Sequence, residues 1–197
     1  MRPARSLTLT TCLGLLVLPV SVKGQGETPV EPLARFEMAG GYSVAFVPGE
    51  YSGHSYSGWA VEQATFIRDR LAIVAVVDAN YWSHTYNAYS SESHSLYGFV
   101  GGVRRTGPRT ERIVPFVQFL AGAAHSSDTL DGGGYSIPIS STWFAIQPGI
   151  GFDVTVLRAL GIRASLTGRI NRPQYSEAWH FIEWRLGPET VYRFGPR

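Results

Sequence analysis

The chain has 197 residues, a formal net charge of +2 and charged side chains at 16% of its positions, whereas soluble domains average about 25%. The length suits a single domain, and the basic residues form neither a run nor a patch interleaved with aromatics, which argues against nucleic-acid binding. Lys23 is the only lysine, so the lysine-rich surface of a typical soluble protein is excluded.

Residues 1–24 are predicted to form a secretory signal peptide. Arg2 and Arg5 precede an apolar core at 13–20, and small residues lead up to a cleavage site after Gly24. The apolar core is shorter than the roughly 20 residues that a membrane-spanning helix needs. The segment is therefore interpreted as a cleaved export signal.

The only cysteine, Cys12, lies before the apolar core of this signal. A lipid-modified cysteine would follow that core, so the sequence predicts neither a lipid anchor nor a disulfide in the mature chain. Residues 25–34 are expected to form a short periplasmic segment, followed by one domain at 35–197.

The rest of the chain alternates between apolar residues and polar or small ones, without a convincing helical period. A period of two predicts β-strands with unlike faces. In the last stretch, Trp184 and Leu186 alternate with Glu183 and Arg185, and this stretch is about three times as long as a usual soluble strand. Such stretches occur at residues 36–47, 58–67, 71–82, 94–104, 112–124, 143–156, 161–170 and 180–194.

The connections between these predicted strands fall into two classes. Short connections occur at 68–70, 106–111 and 158–160, and longer polar ones at 48–57, 83–93, 125–142 and 171–178. The glycines at 132–134 are interpreted as a loop tip. Short turns at one end and long loops at the other are typical of a bacterial outer-membrane barrel.

Aromatic residues gather beside the long loops. Amphipathic rings at one level of a barrel form a girdle at the membrane interface. The predicted girdle consists of Trp59, Tyr81, Trp82, Tyr97, Trp143 and Trp179.

The polar face of the predicted strands carries glycines and charges of both signs. Small residues fit a narrow barrel interior, and buried charges persist only when paired. Arginine suits such pairing because its guanidinium group binds carboxylates in a bidentate way. We therefore expect the apolar face to point outward and the lumen to be plugged by a charge network. The predicted members are Glu37, Glu62, Asp78, Arg104, Asp153, Arg163, Arg169, Glu183, Arg185, Glu189 and Arg193.

Three segments carry a resemblance to a known family: PFVQFLAGAAH at 115–125, WFAIQPGIGFDVTV at 143–156 and VYRF at 191–194. The pattern resembles the eight-stranded outer-membrane β-barrels of the OmpA-like and OmpX-like type. The resemblance implies an all-β, antiparallel up-and-down eight-stranded transmembrane β-barrel in the cell outer membrane. It also implies a monomer that contacts outer-membrane lipids and the barrel-insertion machinery, which reads a C-terminal aromatic, although residues 195–197 follow VYRF here.

The expected role is structural or surface-interactive, without a cofactor. Loops rich in Tyr and Ser suit adhesion or ligand contact, and a thin water or ion path through the lumen is an open alternative. His84 and His94 could bind a metal in the loops, but polar loop residues explain them more simply, and no metal site is predicted.

Two further alternatives belong to other functional classes. His125 and Ser127 resemble the serine–histidine arrangement of barrel-type lipid A hydrolases, with Asp128, Asp131 or Glu177 as a third member. A soluble periplasmic lipocalin-like carrier would instead place the apolar face inside the barrel.

Overall fold

A computed structural model describes residues 35–47, 54–87, 90–110, 112–132, 135–172 and 180–195. The predicted signal peptide and the segment 25–34 lie outside the described residues, as do Trp179 and Glu177. Among the described residues, no helix is long and apolar enough to cross a membrane.

The described chain folds into eight strands, each antiparallel to the next, and β1 also pairs with β8, so the sheet closes into a barrel. The predicted up-and-down eight-stranded barrel is confirmed. The strands are β1 (Phe36–Val47), β2 (His54–Arg68), β3 (Leu71–Asn87), β4 (Ser90–Thr106), β5 (Ile113–Gly132), β6 (Tyr135–Thr155), β7 (Leu160–Arg172) and β8 (His180–Phe194).

The two faces of the barrel wall differ sharply in chemistry. On β6, Ile150 is 58% exposed on the outside, whereas the neighbouring inward Asp153 is buried. Arg104, Arg163 and Arg169 are at most 1% exposed inside the barrel. A soluble barrel would bury its apolar face, so the charged interior marks the inverted arrangement.

Two of the connections that the sequence predicted as long loops are largely strand. β3 and β4 leave only residues 88–89 between them, and β5 and β6 leave only 133–134. The error has a physical source: polar composition was interpreted as loop, although the period of two continues through both segments. The four strands therefore reach past the barrel wall, and we call residues 82–87, 90–95, 126–132 and 135–141 the distal extension.

The interior is not polar throughout. Beside the charged residues, apolar side chains also line the inner wall and pack together, with Phe66 against them. In the strand register Ala72 lies opposite Arg104 and Ala64 lies opposite Glu37, so a small hydrophobic core packs alongside the charge network. Its members are Ala64, Ala72, Val74, Val76, Val100 and Leu120.

Candidate functional site: the charged interior and the distal extension

Arg163, on β7, lies at the centre of the larger ion cluster in the lumen. Its Nε and Nη2 atoms donate to the two carboxylate oxygens of Asp153 at 2.7 and 2.8 Å. Nη1 donates to Glu62, and Nη2 also lies 3.1 Å from Oε2 of Glu37. One guanidinium group thus joins carboxylates from β1, β2 and β6, which couples strands that are distant in sequence.

Arg104 and Arg193 complete this cluster. Arg104 donates to Glu62 and, from Nε, to Oε1 of Gln118 at 3.1 Å. The Phe116 ring lies 4.3 Å from the Arg104 guanidinium carbon and 5.0 Å from that of Arg163. Aromatic faces attract such cations, so Phe116 stabilises both guanidinium groups of the cluster.

The same cluster spans the seam at which the barrel closes. Glu37 on β1 lies opposite Arg193 on β8 in the strand register. Arg193 Nε donates to Glu37 Oε1 at 2.8 Å, and its Nη2 donates to Asp153 at 3.2 Å. A buried ion pair therefore links the first and last strands.

A second cluster lies nearer the distal end. Asp78 Oδ2 accepts from Arg169 Nη2 at 2.5 Å, and Asp78 Oδ1 forms an ion pair with Arg185 Nη2, also at 2.5 Å. Gln147 accepts from Arg169 Nε at 3.0 Å. A Cβ atom on Gly98 would lie 2.4 Å from both Asp78 Oδ2 and Arg169 Nη2, so a larger residue here would force this ion pair to shift.

Between the two clusters lies a cavity of about 30 Å³, lined by Glu62, Glu189, Arg185, Gln118 and Gln147 among others. A polar space of this size holds about one water molecule. It is no wide channel, as expected for an eight-stranded barrel.

The structure brings together ten of the eleven residues predicted for the lumen network, in two clusters and at the cavity between them. For the eleventh, Glu183, the backbone pairs with Arg169, but its side chain lies outside the described part. Sequence reasoning missed Gln118, Gln147 and Phe116 as partners. These three residues occupy inward positions in the alternation of their strands, and that signal could have identified them.

We expect the Arg185→Ala variant to lower the free energy of unfolding by roughly 1–3 kcal/mol, because the buried Asp78 carboxylate loses one of its two cationic partners. Asp78 keeps Arg169, so the loss is partial. Urea unfolding of the refolded barrel measures it, with the exposed turn variant Arg70→Ala as the control. Equal stability of Arg185→Ala and the parent would contradict a role for this contact.

In the distal extension, His94 bridges two acids. Its Nδ1 atom lies 2.8 Å from Asp128 Oδ1, and its Nε2 lies 2.7 Å from Glu92 Oε1. The Tyr86 hydroxyl donates to Glu92 Oε2 at 2.9 Å, and this hydrogen bond raises the pKa of the tyrosine. The inner face of the extension thus carries a hydrogen-bonded network, although from the sequence Tyr86, Glu92 and Asp128 are predicted to lie in loops.

Rings surround this network. Trp82 lies 5.1 Å from the His94 ring, stacks on His84 at 6.0 Å, and lies 6.4 Å from Tyr56, all between centroids. The ring of His84 meets that of Tyr86 edge-on at 4.7 Å. The aromatic rings form a continuous platform beside the two carboxylates.

The predicted aromatic girdle is only partly outward. Trp59 and Tyr81 are exposed on the outer face, and Tyr81 meets Tyr97 edge-on at 6.1 Å. Trp82 and Trp143 instead share the phase of inward residues, so they differ from the prediction. They were assigned by nearness to loops, but the period of two decides which face a side chain takes.

The candidate catalytic residues lie on β5. His125 Nδ1 is 2.7 Å from Thr142 Oγ1, and its ring lies 6.2 Å from that of Tyr97. Ser127 has the same phase as His125, whereas Asp128 has the opposite phase and contacts His94. Within the described ranges, no three His, Cys, Asp or Glu side chains are grouped to hold a metal ion.

A closed eight-stranded barrel with an apolar outside and an ion-paired inside has the fold of the small outer-membrane barrels. No protein-family model matches the chain, and no curated protein matches it in sequence.

Solved structures do match. Ail, the attachment invasion locus protein of Yersinia pestis, aligns at 15% identity over 82% of this chain and 99% of that one, with a TM-score of 0.63. Neisserial surface protein A aligns at 14% identity over 83% of this chain and 100% of that one, with a TM-score of 0.60. The N-terminal β-barrel domain of Pseudomonas aeruginosa OprF aligns at 15% identity over 82% of this chain and 99% of that one, with a TM-score of 0.51. All three share the eight-stranded barrel fold.

Proposed function

We propose that the chain is a monomeric outer-membrane protein that anchors a protruding, four-stranded surface in the membrane and presents it on the outside. In this role the barrel wall contacts lipid, the ion clusters fix its shape, and the distal extension contacts other molecules. The similar structures are outer-membrane proteins, and Ail has also been solved with the heparin analogue sucrose octasulfate. Surface contact, rather than catalysis, is the function that we infer.

The observation that carries this proposal is the inverted wall. Ile150, Phe99 and Val117 are each more than half exposed, whereas Arg163 and Arg169 are buried. Apolar side chains in a band around the barrel would be unfavourable in water and favourable in lipid. Buried Arg–carboxylate pairs across strands would hold the barrel shape from within.

The predicted targeting elements fit the same role. The proposed signal peptide at 1–24 would export the chain, and the closing VYRF segment would be read by the barrel-insertion machinery. Neither the segment 1–24 nor the segment 25–34 lies within the described residues, so both remain proposals.

The first experiment is fractionation of the full chain expressed in a Gram-negative host, followed by gel electrophoresis of unheated and heated membrane samples. We expect recovery in the outer membrane and a mobility that changes on heating, because the folded barrel resists detergent until heated. A variant without residues 1–24 is the control and should not reach that membrane. A soluble periplasmic pool with constant mobility would contradict the proposal and favour the lipocalin-like carrier.

The enzyme alternative is tested in the same membranes. If the chain hydrolysed lipid A, the Ser127→Ala variant would lose that activity while keeping its heat-dependent mobility. We expect no hydrolysis with either protein.

A further inference from the structure

The two faces exchange character where the distal extension begins. Along the barrel wall the outward positions are apolar, as at Val117 and Ile150. In the extension, residues of the outward phase are mostly Ser and Thr: Ser83, Thr85, Ser91, Ser93, Ser95, Ser127, Thr129, Ser136 and Ser140. The apolar and aromatic residues take the inward phase instead. This exchange indicates that water, rather than lipid, surrounds the extension.

Eight of the inward residues of the extension form two rows across β3, β4, β5 and β6. Their cross-strand partners follow from the register, so members of a row are direct neighbours. The first row is Trp82, His94, Asp128 and Ile139, and the second is His84, Glu92, Leu130 and Ile137. The face therefore has an aromatic and acidic half on β3 and β4, with Asp128 at its border, and an aliphatic half on β5 and β6.

The aliphatic half is open. Ile137, Ile139 and Leu130 are 56%, 49% and 40% exposed, and Tyr135 beside them is 79% exposed. Since these residues do not share the lipid-facing phase, lipid contact does not explain them. Contiguous exposed apolar residues of this kind mark interaction surfaces.

The charge of the inner face of the distal extension indicates which kind of partner it can bind. Neither residues 81–103 nor residues 113–157 contain Arg or Lys, so every formal charge in the distal extension other than histidine is acidic. Glu92 and Asp128 keep 22% and 27% of their side chains exposed beside His94. A basic partner is complementary in charge to the distal extension, and an anionic partner is not.

We propose that the inner face of the distal extension is a docking surface for a basic, amphipathic peptide segment of another protein. The aliphatic half would accept its apolar side chains, and the Glu92–Asp128 pair with the Trp82 ring would accept a Lys or Arg. Cations are attracted both by carboxylates and by aromatic faces.

An extended segment fits better than a small ligand, because the face is an open sheet surface. Small-molecule sites are concave and enclose most of their ligand. The inference rests on the proposed function, since the exchange of faces marks the extension as the part outside lipid only if the barrel wall lies in a membrane.

The test uses the barrel in phosphatidylcholine nanodiscs and a labelled alternating Lys–Leu octapeptide as probe, followed by fluorescence anisotropy. Empty nanodiscs give the background of lipid binding. The alternating Glu–Leu octapeptide has the same apolar content with opposite charge, and sucrose octasulfate provides an anion without apolar groups. We expect saturable binding of the basic peptide alone.

Two pairs of variants locate the binding. Asp128→Asn should weaken binding about two- to fivefold, as expected for one partly exposed ion pair, whereas Asp131→Asn removes the same charge from the outward phase and should have no effect. The double variant Ile137→Ser with Ile139→Ser leaves the His94 contacts in place and should weaken binding roughly tenfold or more. Ser140→Ala is its outer-face control.

Heat-dependent gel mobility of each variant shows that the barrel is folded. Equal affinity of the inner-face variants and the parent, or equally tight binding of the Glu–Leu peptide, would overturn the inference. If the folded barrel is in the outer membrane and the basic peptide does not bind, this inference alone fails. If the protein is soluble and without heat-dependent mobility, the proposed function fails first.

Discussion

Replacing Arg163 by methionine is expected to lower the free energy of unfolding by about 3–5 kcal/mol, the range for breaking a buried ion pair on one side. Arg163 donates to Asp153 at 2.7 and 2.8 Å and also contacts Glu62 and Glu37. The variant leaves these carboxylates with fewer cations in a space that water can scarcely enter. Methionine keeps apolar bulk beside Phe116, so the loss reports charge more than volume.

Urea unfolding of the refolded barrel in phospholipid vesicles measures this loss, with tryptophan fluorescence as the signal. Arg70→Met is the matched control, because Arg70 lies exposed in the turn between β2 and β3, and it should change stability little. If Arg163→Met and Arg70→Met were equally stable, the cluster would contribute nothing to the fold.

A second substitution distinguishes the loss of the Arg163–Glu62 interaction from the general effect of changing a buried residue. Adding Glu62→Gln to Arg163→Met removes one of the carboxylates that the first substitution strands. The double variant should recover roughly 0.5–3 kcal/mol relative to the sum of the two single changes, the usual coupling between contacting residues. Simple additivity would show that the two side chains act independently.

The membrane-spanning part of the fold could be predicted from the sequence because two different surroundings impose a strict period of two. At 143–156, apolar outward residues alternate with glycine, Gln147 and Asp153, and the structure places β6 over this stretch. The distal extension could not be predicted from polarity. Ser83 and Thr85 are typical of loops in composition, yet they are exposed residues of a strand. Only the continued alternation indicates that these segments are strands. In them the apolar residues occupy the inward positions instead of the outward ones.

For the interior network, the sequence predicts which side chains point inward but not which of them pair. The inward phase of Glu37 and Arg193 is visible in the sequence, but their pairing is not, since they are 156 residues apart. Barrel closure sets which charges meet. Trp82 and Trp143 differ from this pair, because the alternation in the sequence is enough to predict that their side chains point inward. The predicted girdle relied on their nearness to loops instead.

The second large effect is expected for a charged substitution on the part of the barrel wall that lipid covers. Ile150 lies midway along the apolar part of β6, with the outward residues Val117 and Leu166 beside it on β5 and β7. Arginine at the midplane of a lipid-facing strand costs about 2–4 kcal/mol. We therefore expect Ile150→Arg to reduce the free energy of folding into phosphatidylcholine vesicles by that amount.

Ser140→Arg is the matched comparison, since Ser140 has the same outward phase on the same strand but lies in the distal extension. In water the added arginine should change stability by less than about 0.5 kcal/mol, as at most surface sites. Folding yields from urea, assayed by unheated gel mobility, compare the two variants directly. Equal effects at both sites would mean that lipid covers both or neither. A large effect at Ile150 alone would place the membrane boundary between them, where the apolar residues change from the outer face to the inner one.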